Sequence, residues 1–222
     1  MLKLYTYFRS TAAYRVRIAL NLKGIEHQLE PVHLVRNGGE QKQAAYLAKN
    51  PLGLVPTLEV CPKGETASQY ITQSMAIIEY LEETCPTPAL LPEEPLARAR
   101  VRAITQSIAC DIHPINNLRI LQYLSGELNI SEQQKTDWYQ HWVHTGFSAI
   151  ERMLSESPNT GLFCHGDTAT LADCALVPQV YNAERFNCPM EAFPIIQSIN
   201  RHCKTLDAFQ RADPAQQPDA AA

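Results

Sequence analysis

The 222-residue sequence contains no apolar run approaching the roughly 18 residues that a membrane span requires, which sets aside an integral helical membrane protein. It also lacks a basic excess. Nineteen Lys and Arg face twenty-three Asp and Glu, a formal charge of −4, and that balance argues against a nucleic-acid footprint or a polybasic membrane surface. Paired cysteines are missing too: the seven stand at 61, 85, 110, 164, 174, 188 and 203, an odd count with no two-residue spacing. Neither a disulfide framework nor a zinc knuckle is indicated, and reduced thiols are expected. His141 and His144 lie three apart with no third ligand at suitable spacing, so a solvated helix face is expected there and no metal site. The opening residues, Met1 to Tyr7, read as a strand without the apolar core of a secretory signal, and a cytoplasmic location is expected. What is present is ordinary globular material, 45% hydrophobic and 19% charged. The length falls between one large domain and two small ones.

Strand-like and helix-like signals alternate over the first eighty-odd residues. Leu2 to Phe8 alternates apolar and polar residues as a strand does. Ser10 and Thr11 offer capping hydroxyls before a helix over 12–23, in which Val16, Ala19 and Leu20 share a face that Arg15 and Arg17 do not. Residues 28–34 read as a second strand whose Pro31 suits an edge, 40–49 as a short helix, and 55–60 as a third strand. Lys63-Gly64-Glu65 reads as a turn leading into 66–71. Gln73 to Glu83 is an amphipathic helix with Ala76, Ile77, Tyr80 and Leu81 on one side. Prolines at 86, 88, 92 and 95 then mark a linker. Beyond it only helical patterns occur, over 96–124, 132–154, 171–182 and 195–211. Thr170-Leu171-Ala172-Asp173 resembles a capping box closed by Asp in place of Glu. Residues from about 213 read as a mobile end. The expected architecture is an α/β domain over 1–85, a linker over 86–95 and an all-helical domain over 96–222.

Three junctions offer chemistry. A helix start presents free N–H groups and partial positive charge, so Ser10 or Thr11, with Arg15 in the following turn, could stabilise an incoming thiolate; a plain cap explains the hydroxyls equally well. Pro56 at the entrance of a strand would fit a cis peptide that turns the N–H and C=O of Val55 towards an extended peptide ligand, or simply an edge strand. Gln73 and Ser74 at a helix start could receive an α-carboxylate, or cap the helix. Each is weak alone, but all three lie at element ends of one small α/β domain, where ligands of open sheets collect.

The run Phe8-Arg9-Ser10-Thr11-Ala12-Ala13-Tyr14-Arg15-Val16-Arg17-Ile18-Ala19-Leu20 resembles the signature of zeta-class glutathione transferases, the maleylacetoacetate isomerases. Asn50 to Leu58, Gln73 to Leu81 and Val177 to Phe186 are similar to the same family, and the likeness runs from Leu2 to about Pro218. It implies a thioredoxin-like domain that binds glutathione, an all-helical domain that completes the acceptor pocket, and a homodimer. By the same resemblance Ser10 is the catalytic hydroxyl, with Thr11 and Arg15 beside it. Val55 and Pro56 pair with the cysteinyl backbone, Gln73 and Ser74 hold the γ-glutamyl end, and Gln41 holds the far end. One departure stands out: the family commonly has Ser-Ser-Cys where this chain has Ser10-Thr11-Ala12. Either that thiol is dispensable for isomerisation or the substrate differs.

The implied reaction is addition of the glutathione thiolate to a cis double bond, rotation, and elimination, with glutathione regenerated. A free thiol has a pKa of roughly 8.5, and lowering it by about 1.5 to 2 requires only ~2–3 kcal/mol. An unsaturated diacid needs cations, for which Arg9 and Arg185 are the candidates; a surface ion pair of Arg185 with Glu184 or a neighbour is the plain alternative. The stretch Cys110 to Asn117, with Pro114 inside a helical pattern, looks more like the bacterial maleylpyruvate isomerases. There His113 and Asn117 could line the pocket, His113 assisting proton traffic, or His113 could be a satisfied core residue. Maleylpyruvate isomerase, a detoxifying transferase or peroxidase, and a non-catalytic scaffold are the competing functions, since one fold hosts several chemistries.

Overall fold

The computed structural model describes residues 2–62 and 67–220, so the turn expected at Lys63-Gly64-Glu65 lies outside the described residues. The chain divides into two compact units, residues 1–90 together with 206–222, and residues 91–205.

The first unit opens with strand β1 (Leu2–Thr6), helix α1 (Thr11–Leu22) and strand β2 (His27–Pro31). A short helix α2 (Ala44–Leu47), preceded by 3-10 turns at Arg36–Gly38 and Glu40–Lys42, replaces the single helix expected over 40–49. Strands β3 (Thr57–Val60) and β4 (Gln69–Thr72) and helix α3 (Ser74–Thr84) follow. The sheet order is β2-β1-β3-β4, with β1 parallel to β2 and the other pairs antiparallel. Pro31 ends the edge strand opposite Thr6, where its missing N–H costs no ladder bond to an outer neighbour. Strand alternation sends Leu4 and Leu58, paired in register, to one fully buried face. Tyr5 goes to the other face, where Tyr7, Val32, Tyr46 and Val55 form a cluster with Phe8 and Leu34 against it.

Helix α1 departs from expectation. Arg15 and Arg17 are as buried as the apolar face, at 2% and 1% exposure. Packing against α3 covers one flank, and a segment from the far end of the chain covers another. Lys23, just past α1, donates through Nζ to the carbonyls of Cys85 (2.7 Å) and Pro88 (2.9 Å) and pairs with Glu82 at 2.6 Å. The first half of the expected linker is therefore strapped to the first unit. Its boundary falls at Leu90, whose N–H donates to the Glu82 carboxylate.

In the helical unit, Pro95 occupies the first position of α4 (Pro95–Gln106) and Glu94 caps it, accepting from the N–H groups of Leu96 and Ala97. The single helix expected over 96–124 is broken. A π-helical turn (Ser107–Ile112) and a 3-10 turn (Pro114–Asn116) separate α4 from α5 (Leu118–Gly126), because Pro114 brings no N–H and His113 N–H reaches back five residues to the carbonyl of Ile108. Helix α6 (Glu132–Ser155) starts on a reciprocal Ser131–Gln134 cap. Helix α7 (Leu171–Arg185) is buried along its first ten residues, and α8 (Pro194–Cys203) packs on it.

The helix expected over 195–211 also breaks, because the chain passes from one unit to the other after Thr205. Leu206 is extended, and α9 (Asp207–Ala212) packs on α1. Of the end expected to be mobile from about 213, residues 221–222 lie outside the described residues, and 213–220 take a definite conformation. A 3-10 turn (Pro214–Gln216) follows α9, Gln217 and Asp219 are buried, and the whole segment belongs to the first unit. Gln217 Nε2 donates to the carbonyls of Arg211 and Asp213, both at 2.9 Å, which satisfies the backbone that a loose tail would leave to water.

All seven cysteines are free thiols; Cys61 and Cys110 are exposed, Cys85 is half-buried, and Cys164, Cys174, Cys188 and Cys203 are buried. Burial pushes the Cys188 thiol up to about 11 and raises Cys164 and Cys203 as well. Maleimide at neutral pH is expected to label Cys61 and Cys110 quickly, Cys85 slowly and the other four only after denaturation, read by intact mass spectrometry.

Candidate functional site: the first helix start of the α/β unit

The β1–α1 loop brings the first set of candidates together. Ser10 is the N-cap of α1, extended in backbone, and its Oγ accepts from Ala13 N–H at 3.2 Å. That bond uses an oxygen lone pair and leaves the hydroxyl hydrogen available to a ligand. The side chain is half-exposed, whereas Thr11 is buried at 3%. The first turn of α1 carries no acidic residue, so its N–H groups keep their positive potential. Arg9 is exposed, its guanidinium 4.8 Å above the Phe8 ring.

Arg15 connects this helix start to the next. Its Nη1 donates to Ser74 Oγ at 3.4 Å, joining α1 to the first residue of α3. Gln73, immediately before, has φ of +69° and makes no capping bond with its side chain. A non-glycine residue held in the left-handed region costs about 1–3 kcal/mol and marks functional sites more often than scaffold. Here the conformation leaves the Gln73 amide exposed at the mouth of α3.

The Val55–Pro56 peptide is cis. Among the described residues neither the N–H nor the C=O of Val55 takes a hydrogen bond. The turn is braced on both sides by residues the sequence did not single out. Tyr46 Oη and Asn50 Nδ2 each donate to Leu54 O at 2.7 Å, and the same two side chains meet Thr57 Oγ1. Burial raises the Tyr46 hydroxyl above its ordinary value, which keeps it a neutral donor. Gln41 is buried; its Nε2 donates to Leu34 O at 3.2 Å and its Oε1 has no partner among the described residues. Gly39, with φ of +103°, is required there, since a Cβ would stand 2.7 Å from the Gln41 amide.

The glutathione S-transferase N-terminal domain family matches residues 9–84. The chain is 48% identical over 220 residues to a probable maleylacetoacetate isomerase of Vibrio cholerae, covering 98% of this chain and 97% of that protein. The chain belongs to the zeta-class glutathione transferases, the maleylacetoacetate isomerase family. A maleylpyruvate isomerase of Ralstonia sp is 47% identical over 220 residues, 99% of this chain and all of that one. A holo structure of a bacterial zeta-class maleyl pyruvate isomerase superposes with a TM-score of 0.92 at 46% identity, covering 98% and 99% of the two chains. The maleylacetoacetate isomerase of Anaeromyxobacter dehalogenans, solved with glutathione in its active site, superposes with a TM-score of 0.88 at 41% identity over 99% and 98%. Glutathione transferases carry the thioredoxin-like α/β unit and the all-helical unit described above.

In this zeta-class chain the remaining candidates lie in the helical unit. His113 is half-buried at the end of the π-helical turn. Asn117 caps α5, its Oδ1 accepting from Ile120 N–H at 3.3 Å, so the carbonyl of its side chain is already used. Arg185 is exposed in the last turn of α7, its guanidinium 4.8 Å over Phe186, a ring that stacks on Tyr139 at 3.8 Å. The alternative of an Arg185–Glu184 pair is not what forms: Glu184 faces Lys204 at 3.7 Å. His141 and His144 rest against Trp142 and Phe193.

Proposed function

We propose that this chain is a glutathione-dependent cis–trans isomerase that converts maleylacetoacetate to fumarylacetoacetate, late in tyrosine and phenylalanine breakdown. In this reading it works as a cytoplasmic homodimer. Relatives named maleylacetoacetate isomerase at 48% and 42% identity, from Pseudomonas aeruginosa and Mus musculus, support the activity. The observation that carries the mechanism is the Ser10 hydroxyl, fixed by Ala13 N–H at its oxygen with its hydrogen left to donate.

Glutathione fits the residues present. The open backbone pair of Val55 suits a short extended peptide. The starts of α1 and α3 suit its negative groups. The buried Gln41 Oε1 is an acceptor, so it suits an amide N–H near the glycyl end and not the terminal carboxylate. When bound, glutathione would supply a thiolate able to add to the cis carbon–carbon double bond and, after rotation about the resulting single bond, to be expelled unchanged as the double bond re-forms. Ser10 donates to the developing thiolate, and the helix start adds its potential, together within the ~2–3 kcal/mol that thiol activation needs. Arg15 holds Ser74 and thereby the receptor end of α3. Thr11, buried, supports the loop in place of meeting the sulfur. Arg9 and Arg185 present exposed guanidinium groups for substrate carboxylates, and His113 and Asn117 remain candidate contacts for the diacid.

The test is a spectrophotometric assay with maleylacetoacetate and substoichiometric glutathione. Turnover of the diacid with glutathione undiminished is expected. Preference for maleylpyruvate would transfer the reading to the isomerase of gentisate breakdown, which the Ralstonia relative favours. Net glutathione consumption with haloacids or hydroperoxides would make the protein a transferase or peroxidase. Failure to bind immobilised glutathione would leave only a scaffold.

A further inference from the structure

The loop that presents Ser10 is held by side chains as well as by backbone turns. Phe8 lies between β1 and α1, and both of its peptide groups are engaged from outside. Its N–H donates to Asp219 Oδ2 at 2.9 Å, across 211 residues of sequence. Its C=O accepts from Arg17 Nη2 at 3.0 Å. The same guanidinium donates through Nη1 to Thr6 Oγ1 (3.1 Å) and Tyr7 O (3.3 Å), and through Nε to Ala212 O at 3.1 Å. Tyr7 O in turn accepts the Ser10 N–H at 2.9 Å. A continuous hydrogen-bonded path therefore runs from the C-terminal segment through Arg17 and Asp219 to the peptide that carries the Ser10 hydroxyl. Both side chains are buried, Arg17 at 1% and Asp219 at 7% exposure, so water is a poor substitute for either.

We propose that Asp219, acting with Arg17, is a positioning residue for Ser10: the C-terminal segment clasps the β1–α1 loop and sets the direction of the Ser10 hydroxyl towards the glutathione sulfur. The proposal rests on the Ser10 reading given above. A carboxylate accepting a backbone N–H is among the stronger hydrogen bonds available, and Phe8 is only two residues from Ser10. A shift of this peptide is carried to the hydroxyl with no helix turn between to absorb it. Asp219 does not touch the substrate; its effect is on geometry.

Asp219→Ala is expected to lower kcat about tenfold, the size of one lost charge-assisted hydrogen bond. It should leave KM for glutathione within about twofold and reduce the ultraviolet thiolate absorbance of bound glutathione. Asp219→Asn, which keeps an acceptor for Phe8 N–H, is expected to recover most of both signals. Should Asp219→Ala fail to fold, Asp219→Glu, which keeps the charge but displaces the carboxylate by one methylene, reads the same quantities. Wild-type kcat and thiolate absorbance in the folded variant, or a fall in Tm alone, would overturn the clasp. Ser10→Ala run alongside separates the two readings, since the thiolate signal needs no diacid. A loss in Ser10→Ala without one in Asp219→Ala sinks only the clasp, whereas no loss in Ser10→Ala sinks both.

Discussion

Ser10→Ala should reduce kcat by about tenfold to a hundredfold, the range for one hydrogen bond to a charged group. It should also return the bound thiol towards the roughly 8.5 of a free cysteine. The same substitution removes the N-cap of α1, because Oγ holds Ala13 N–H, and loss of such a cap costs about 1 kcal/mol. Ser10→Gly separates the two effects. Glycine caps almost as well as serine, within a few tenths of a kcal/mol, yet cannot donate to sulfur. Equal losses of kcat in the alanine and glycine variants, with a lower Tm only in the first, are the expected pattern. Activity surviving in both while Thr11→Val is dead would move the donor role to Thr11, in spite of that residue's burial.

Asp173→Ala should be the most damaging substitution to the fold of the helical unit. Asp173 is fully buried; Oδ2 accepts from the Thr170 N–H and hydroxyl, and Oδ1 from the Cys164 N–H, all at 2.8 Å. Alanine strands three donors at the start of α7, the most deeply buried helix of that unit. Each buried donor left unmet costs about 1–3 kcal/mol, and relief by relaxation leaves a net loss of about 3–5 kcal/mol. For a chain of this size each kcal/mol lowers Tm by about 2–4 °C, so calorimetry should show a fall near 10 °C or no soluble protein. Asp173→Asn keeps one acceptor and should fall between. A Tm within a degree or two of wild type in the alanine variant would show that the box carries no weight.

The elements that the sequence announces are those whose patterns are local. Strand alternation in Leu2 to Phe8, the Ser10 cap, the edge proline at 31 and the Thr170–Asp173 box each depend on a few adjacent residues, and each has its counterpart in the structure. Helices mispredicted as continuous failed where a long-range partner decides the matter. Pro114 is visible as a disturbance, but nothing local shows that Ile112, in the π-helical turn before it, sits so near Gly146 that a Cβ there would collide. The break after Cys203 has no local breaker at all, since it marks the passage between units. The candidate site divides the same way. Ser10, Val55, Pro56, Gln73 and Ser74 announce themselves by residue type at an element end. Tyr46, which helps brace the cis peptide, is hidden in what reads as a short helix, and Asn50, its partner in that role, lies just beyond it. Asp219 gives no signal, since it reads as loose tail, and Arg17 gives little, since it reads as the polar face of a helix. A pair of arginines two apart in an otherwise apolar helix was the one hint available, because they cannot both face water if the helix is enclosed.

The first unit is built from two stretches that the helical unit separates in sequence, so the order of synthesis and the order of packing disagree. While the polypeptide is still emerging, α1 has one flank bare, and Arg17 lacks the carbonyl that Ala212 provides. Every residue of the helical unit must be made before that flank can close. The nascent α/β half therefore waits, incompletely satisfied, for the stretch from Leu206 onward. A chain cut before Leu206 should then lack not a peripheral appendage but the closing side of its α/β half.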